Sequence, residues 1–147
     1  MMNEIYVALI FIHVLSAVVS IGPLFVLFSL LSKMHHSNDH TDKAYISIFR
    51  SIVRLIKHAG HVLVGSGILL VIMGPWSWKT PWIISTIALM VISIFFLARA
   101  FSPKLKKMEE PNSDKQLLLK QLKTSTWTYI GLLALMLALM VIKPTLW

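Results

Sequence analysis

Six histidines carry most of the reactive chemistry in this sequence, because the chain contains no cysteine and only six carboxylate residues. His13 and His61 lie within long apolar stretches, where an ionisable side chain is costly and therefore points to a functional site. An imidazole nitrogen can ligate haem iron, and two imidazoles on neighbouring helices can hold the iron from both sides. We therefore predict a haem b site in which His13 and His61 are the metal ligands.

One face of the second apolar stretch supports this prediction. Four of its residues are spaced i, i+4, i+7 and i+11 and so share a helical stripe: Arg54, His58, His61 and Gly65. A flat macrocycle between helices needs an imidazole for the iron and a glycine where a larger side chain would clash with the ring. Guanidinium groups pair well with propionates. The predicted cofactor-binding residues are accordingly Arg54, His58, Gly65 and Arg99.

The two candidate ligands lie at compatible depths. At the rise of an α-helix, His13 is ~12 Å and His61 ~18 Å from the outward-facing end of its span. The resulting offset of ~6 Å suits the two axial positions of a tilted ring. His58 would lie ~4.5 Å deeper than His61, so it is the second choice for the ligand opposite His13. Ligation of a second haem, contact with a propionate and proton transfer are its other candidate roles.

Simpler interpretations of the same residues stay open. His13, Ser16 and Ser20 share one stripe, which also suits a histidine that only hydrogen-bonds to a neighbouring helix. The chain would then be a non-catalytic structural or assembly subunit of a membrane complex. A third hypothesis is a small-molecule or metal transporter that uses the same polar interior. The haem-binding hypothesis itself predicts electron transfer or haem handling, and any enzymatic activity would be that of a membrane oxidoreductase.

Two further groups of residues could bind metal. A short polar segment contains three histidines and two aspartates: His35, His36, His40, Asp39 and Asp42. It lacks a third fixed ligand and is more typical of a solvated loop. Met136 and Met140 share a helical face and would suit copper, although methionine at this spacing more often fills a core or faces lipid.

Composition requires a membrane to surround the elements that carry these residues. The chain is 56% hydrophobic and 14% charged, with a mean hydropathy of +0.75, so one small soluble core could not bury its apolar surface. Four apolar segments, at about 5–32, 45–74, 81–101 and 116–143, are long enough to span a bilayer. The predicted architecture is an all-α, up-down-up-down bundle that forms one domain over residues 1–147.

Basic residues predict the orientation of this bundle. Twelve of the fourteen lie beside the first and third loops: Lys33, Lys43, Arg50, Arg54, Lys57, Arg99, Lys104, Lys106, Lys107, Lys115, Lys120 and Lys123. The positive-inside rule places these loops in the cytoplasm and both termini outside. The short 74–80 link predicts that the second and third helices are antiparallel neighbours. An outer aromatic belt is predicted from Tyr6, Trp76, Trp78, Trp82 and Trp147.

The net charge of +8 also predicts the partners of the chain. The basic residues flank apolar runs and are not interleaved with stacking aromatic residues, so they indicate anionic lipid at the cytoplasmic face and not nucleic acid. A quinone or membrane redox partner, and a homo-oligomer, are further candidates. The predicted location is the bacterial cytoplasmic membrane, which the chain crosses several times.

The first helix also carries a family resemblance. Its sequence IFIHVLSAVVSIGPLF, with an early histidine followed by small residues and a glycine, resembles small bacterial four-span membrane families. These are an uncharacterised integral membrane family, the HemJ-type protoporphyrinogen oxidases and CopD-like proteins. The resemblance covers the hydropathy layout and the motif around His13. It implies haem b bound through His13 alone, because residues 82–98 contain none of the basic or histidine residues that HemJ-type proteins have in their third span.

Overall fold

The computed structural model describes residues 1–145, and this part of the chain forms helices and no strand. Four stretches are long and apolar enough to cross a bilayer, the third being α3 continued by α4. The predicted all-α bundle of four membrane-spanning helices is confirmed. The helices are α1 Met2–His35, α2 Asp39–Met73, α3 Pro81–Ala100, α4 Ser102–Met108 and α5 Lys115–Ile142.

Local sequence accounts for where the helices begin. The backbone of Asn38 is extended, and α2 starts at Asp39, earlier than the predicted residue 45. Two aspartates in its first turn favour this start, because their charges stabilise the N-terminal end of the helix dipole. Pro81 occupies the first turn of α3, where the missing N–H costs nothing. The Asp114 side chain caps α5 by accepting a hydrogen bond from the Leu117 amide at 3.2 Å.

Helix α1 lies at the centre of the bundle and packs against α2 and α5, while α5 also packs against α3. The order in space is therefore α2, α1, α5, α3. Helices α2 and α3 run antiparallel, as the short link requires, but over the described residues they make almost no contact with each other. The predicted neighbours thus face each other across a groove and do not pack closely along their length. A link of seven residues leaves enough reach for this separation.

The most tightly packed core lies toward the end of the bundle that carries the 36–38 turn, α4 and the 109–114 link. We call it the basic end, and we call the opposite end, with both termini and the 74–80 link, the terminal end. The fully buried large side chains are concentrated in the half that includes the basic end: Leu24, Leu27, Met34, Phe49, Ile56, Phe101, Leu105 and Leu122. Many large apolar side chains elsewhere remain exposed, as a surface in contact with lipid requires.

Two ion pairs connect the loops at the basic end. Lys115 Nζ lies 2.6 Å from Asp42 Oδ2 and also donates to the Ser37 carbonyl at 3.1 Å. The Ser37 hydroxyl donates to the same Asp42 carboxylate. The second pair joins Arg50 to Glu109 at 3.0 Å. The start of α5 is thereby attached to the turn between α1 and α2.

Aromatic residues gather at the terminal end, as predicted. Trp76 and Trp82 meet edge to face, with ring centroids 5.3 Å apart. Lys143 Nζ lies 4.5 Å from the centroid of the Trp76 ring, within the range of a cation–π contact. Gly74 fits tightly here, since a Cβ at this position would lie 3.3 Å from the Tyr6 hydroxyl and 2.6 Å from a backbone oxygen of its own helix. Trp147, also predicted for this belt, lies outside the described residues.

Candidate functional site

The groove between α2 and α3 contains two adjoining cavities. The His13 cavity, of about 340 Å³, lies toward the terminal end, and the Ser20 cavity, of about 330 Å³, lies toward the basic end. Both volumes fall in the range of small-molecule and cofactor sites. Leu63, Val64, Met90 and Met136 line both cavities and form the boundary between them.

His13 is held by a specific pair of contacts to α2. Its Nδ1 lies 3.1 Å from the Leu63 carbonyl oxygen and 3.0 Å from Ser66 Oγ. The Ser66 hydroxyl donates to the Val62 carbonyl at 2.8 Å, so its oxygen is free to accept from the imidazole. The half-buried histidine thus bridges the two helices in the middle of an apolar environment.

These contacts determine the tautomer of the ring. A carbonyl oxygen can only accept, so Nδ1 must carry the proton that it donates to Leu63. Nε2 is then left with its lone pair, and it has no hydrogen-bond partner within residues 1–145. Metal-ligating histidines commonly donate their other ring N–H to a backbone carbonyl, which fixes the ring orientation and raises the basicity of the ligating nitrogen. His13 has this arrangement.

Gly67 provides the space for the His13 ring. A Cβ at residue 67 would lie 3.6 Å from His13 Nδ1 and 3.1 Å from Cε1, and the second distance is tighter than an ordinary van der Waals contact. The absence of a side chain here allows the imidazole to lie against the α2 backbone. A Cβ at Gly60 or Gly65 would meet no atom within 4 Å, so these two glycines create no comparable space.

The remaining walls of the His13 cavity are apolar, aromatic and thioether-rich. Trp76 and Trp82 line it near the terminal end, and Met136 and Met140 line it from α5. The Thr86 hydroxyl is already bonded to the Trp82 carbonyl at 2.6 Å, so it offers no free proton. His13 Nε2 is therefore a strong candidate for the ligating atom of this cavity.

The Ser20 cavity differs in its polar groups. Ser20 on α1 and Ser93 on α3 are buried, and their hydroxyls have no hydrogen-bond partner among the described residues. Tyr129 lines the cavity from α5 and is also buried. His61 and Lys57 line it from α2 and are exposed, so they lie at its rim. Residues of three helices that carry a hydroxyl group thus line a space that no side chain fills.

The structure does not bring the predicted ligands together in one cavity. His13 lines the cavity toward the terminal end, while His61 lines the Ser20 cavity. The other predicted cofactor-binding residues are exposed and line neither cavity: Arg54, His58, Gly65 and Arg99. The pairing of His13 with His61 stays a prediction, and it requires a ring that extends past the shared boundary.

Helical geometry explains this separation. Leu63 follows Arg54 by nine positions, and at about 100° per residue these two positions lie on opposite sides of α2. The apolar stripe that ends in Leu63 packs against α1. Burial of its aliphatic side chains determines which side of α2 faces α1, and the stripe that contains the histidines is turned away. His58 and Gly65 consequently lie on the outer side of α2, and His61 lies at its edge.

Sequence reasoning did not predict Ser66, which bonds to His13, or the cavity-lining residues Gly67, Ser93 and Tyr129 as site residues. Ser66 and Gly67 could have been found from the stripe of α2 that continues the apolar positions 56, 59 and 63, because a small or polar residue in such a stripe faces a neighbouring helix. Ser93 stands alone in a strongly apolar helix, which is a weaker signal.

Within residues 1–145, no group of three or more His, Cys, Asp or Glu side chains is arranged to hold a metal ion. His35 and His36 contact each other edge to face at 4.9 Å, while His40 belongs to the first turns of α2. Asp42 is used in the ion pair with Lys115. A metal site in this segment is therefore not formed in the described structure.

Residues 7–144 match a family model described as a predicted integral membrane protein, DUF2269. No curated protein and no solved structure matches the chain. The match covers all four membrane-spanning helices and both cavities. The predicted resemblance to a small integral membrane family of unknown function is confirmed, and the resemblance to HemJ-type and CopD-like proteins stays a prediction.

Proposed function

The chain belongs to the DUF2269 family of predicted integral membrane proteins, and from that premise we propose that it binds haem b through His13. One observation carries the proposal: the Nδ1–H of His13 is donated to a backbone carbonyl, while the ring lines a cavity of about 340 Å³. This is the donor geometry of a haem-ligating histidine.

The residues of the His13 cavity fit a haem in three respects. Gly67 admits the imidazole, the lining is apolar and aromatic, and the separation of α2 from α3 leaves a slot between helices. His61, the predicted second ligand, lies in the adjoining cavity, and Met136 lines both. Thioether and imidazole are both established as axial ligands of haem. Bound haem would supply one-electron transfer, which gives the chain a role in electron transfer or haem handling.

The protein's own residues would perform three tasks. Leu63 and Ser66 hold the His13 ring in one tautomer, so that Nε2 stays unprotonated and available. The aliphatic and thioether lining excludes water from the cavity and so preserves the hydrogen bonds of the imidazole. Lys57, at the rim of the Ser20 cavity, and Lys143, in the His13 cavity, lie at opposite ends of the groove, so the propionates, which share one edge of the ring, would pair with one of the two.

A reduced-minus-oxidised visible spectrum of detergent-purified protein, supplied with haem, tests the proposal. We expect sharp Soret and α bands that His13→Ala abolishes, and that His58→Ala, an exposed control on α2, leaves intact. His61→Ala and Met136→Leu then identify the second ligand by which of them shifts the bands. A protein that stays colourless with excess haem would overturn the proposal and favour the structural-subunit hypothesis, in which the His13 bridge only joins α1 to α2.

The proposal includes the bacterial cytoplasmic membrane, with the basic end in the cytoplasm and both termini outside. Twelve of the fourteen basic residues support this orientation. Because the chain has no cysteine, Asn3→Cys and Asn112→Cys give single labelling sites. In intact cells a membrane-impermeant thiol reagent is expected to label residue 3 and not residue 112. Labelling of residue 112 and not of residue 3 would show that the orientation is the opposite of the one proposed.

Anionic phospholipid at the basic end is the partner proposed next. Lys104 is half-buried and donates to Ser125 Oγ at 2.7 Å, and it takes part in neither of the two ion pairs of the described chain. It lines a surface cavity of about 360 Å³ together with Lys120, Gln121 and Phe96. A partly buried ammonium group without a carboxylate favours an anion beside it. A phosphate at the membrane surface, with its acyl chain along Phe96, fits this position.

A further inference from the structure

Seven polar side chains are buried in the described bundle, and five of them have partners. Four hydroxyls donate to the carbonyl one turn earlier in their own helix, which is the usual solution in an apolar environment: Ser16, Ser66, Thr86 and Thr126. Ser125 accepts from Lys104. Ser20 and Ser93 are the two exceptions, although their exposed fractions are only 2% and 4%.

The two exceptions line the same space, although each hydroxyl oxygen is itself covered. Ser20 belongs to α1 and Ser93 to α3, two helices that scarcely touch, and both line the Ser20 cavity. A buried hydroxyl without a partner is unfavourable, and two of them around one cavity of about 330 Å³ indicate that something else provides the hydrogen bonds.

The lining limits the chemistry of the occupant. Apart from Ser20, Ser93 and Tyr129, the interior walls are aliphatic or thioether, including Leu97, Leu133 and Met90. A third serine, Ser102, is exposed at the rim. No carboxylate lines the cavity, and its cationic or ionisable groups, Lys57 and His61, lie at the rim. A suitable occupant is therefore mostly apolar and uncharged, and it accepts hydrogen bonds at a few separate points.

Access to this cavity is from the side. Helices α2 and α3 form its flanks but make almost no contact with each other, so the gap between them opens toward the lipid. A molecule dissolved in the bilayer could enter with its ring and leave its tail outside. The cavity lies within the membrane-spanning helices, which water-soluble ligands reach less easily.

We propose that the Ser20 cavity binds the headgroup of a lipid-soluble quinone, with the hydroxyls of Ser20 and Ser93 turning into the cavity to donate to its carbonyl oxygens. A quinone ring is flat, uncharged and apolar except for carbonyl oxygens at opposite edges, and its isoprenoid tail suits the lateral opening. The site rests on its own geometry and does not require haem. It is compatible with the proposed haem only if Met136, and not His61 of this same cavity, is the second ligand, and it would then place an electron carrier next to that haem.

Binding of decyl-benzoquinone to the full-length protein in nanodiscs tests this site. We expect saturable binding, seen as a concentration-dependent rise of Tm, and a downshift of the quinone carbonyl stretch in the infrared difference spectrum. The double variant Ser20→Ala/Ser93→Ala is expected to bind at least about tenfold more weakly and to lose the downshift. Ser51→Ala, an exposed serine of α2 outside the cavity, is the matched control.

The Tm of the unliganded variants separates a ligand site from a structural role. Replacing two hydroxyls that have no partner is expected to leave the unliganded Tm unchanged or raise it, while binding falls. Saturable binding that the double variant retains would show that the two hydroxyls do not hold the quinone, and no saturable binding to the unsubstituted protein would show that the cavity is not a quinone site. Either result would overturn the proposal. Repeating the titration in His13→Ala separates the two proposals, because quinone binding should persist where haem binding is lost.

Discussion

The two cavities of the groove are similar in size, but they differ in whether their polar groups have hydrogen-bond partners. In the His13 cavity the imidazole is bonded to Leu63 and Ser66, and its orientation is fixed before any ligand arrives. In the Ser20 cavity the hydroxyls of Ser20 and Ser93 have no partner among the described residues. We infer that the first cavity is preorganised for a ligand, and that an occupant would complete the hydrogen bonds of the second. The same substitution, serine to alanine, should therefore have opposite effects in the two places.

The largest effect is expected from Gly67→Val, which fills the space beside the imidazole. A Cβ here would lie 3.1 Å from His13 Cε1, and the two added methyl groups would displace the ring. We expect loss of haem binding comparable to that in His13→Ala and a destabilisation of about 1–3 kcal/mol, as for other overpacked cores. Haem titration and thermal unfolding in detergent provide the two readouts.

Gly65→Val is the matched control for this substitution. A Cβ at residue 65 meets no atom within 4 Å, and the residue is exposed on the outer side of α2. Unchanged haem binding in this variant would show that the effect at residue 67 is local to the imidazole. Equal loss in both variants would show that valine disturbs α2 itself, and the role assigned to Gly67 would then fail.

The next effect is expected from Ser66→Ala, which removes one of the two acceptors of His13 Nδ1. The Leu63 carbonyl remains, so the tautomer is kept, but the ring gains freedom. Removal of such a supporting hydrogen bond typically weakens metal or cofactor affinity by about 10-fold or more. Interhelical hydrogen bonds in membranes contribute about 0.6 kcal/mol, which is the expected destabilisation. Undiminished haem affinity would argue against the preorganisation of His13.

Ser93→Ala should have the opposite sign for stability. Its hydroxyl is buried without a partner, so alanine removes an unsatisfied group and leaves the packing nearly unchanged. We expect a stability that is unchanged or raised by up to about 1 kcal/mol in the absence of a quinone. The comparison of Ser93→Ala with Ser66→Ala under identical unfolding conditions is the sharpest test of the difference between the cavities. If Ser93→Ala lost as much stability as Ser66→Ala, the two cavities would not differ in whether their polar groups have partners.

The smallest effect is expected from Lys104→Gln at the basic end, away from both cavities. The neutral amide can still reach Ser125, but the charge that attracts a phosphate is lost. Native mass spectrometry from anionic vesicles should show fewer retained phospholipids than for the unsubstituted protein. The exposed Lys106→Gln is the control for charge alone. The visible spectrum with haem should stay the same, since Lys104 lines neither cavity.

The sequence was sufficient to predict the four membrane-spanning helices, because a run of about 20 consecutive apolar residues is most stable across a bilayer. It was also sufficient to single out His13, whose depth in α1 required a partner on another helix. It did not determine which stripe of α2 provides that partner. Periodicity groups Arg54 with His58 and Gly65, but it does not tell which neighbour that group faces.

Packing between the helices determines which stripe of α2 contacts α1, and hydrophobic periodicity alone does not predict it. The stripe of α2 that contacts α1 is the one whose aliphatic side chains fit there, and Ser66 and Gly67 belong to it. The gap between α2 and α3 could not be predicted either, since a short link fixes the direction of the next helix and not its contacts. The Ser20 cavity follows from that gap.

The order of the helices in space also has a consequence for biosynthesis. Helices α1 and α2 are made consecutively and pack extensively, so this pair can form as soon as both are inserted. Helix α3 follows, yet its principal partner is α5, which is synthesised later. Until then α3 stays alone in the lipid. A chain truncated after Met108 should therefore insert three spans but expose the unpaired face of α3 to quality-control proteases of the membrane.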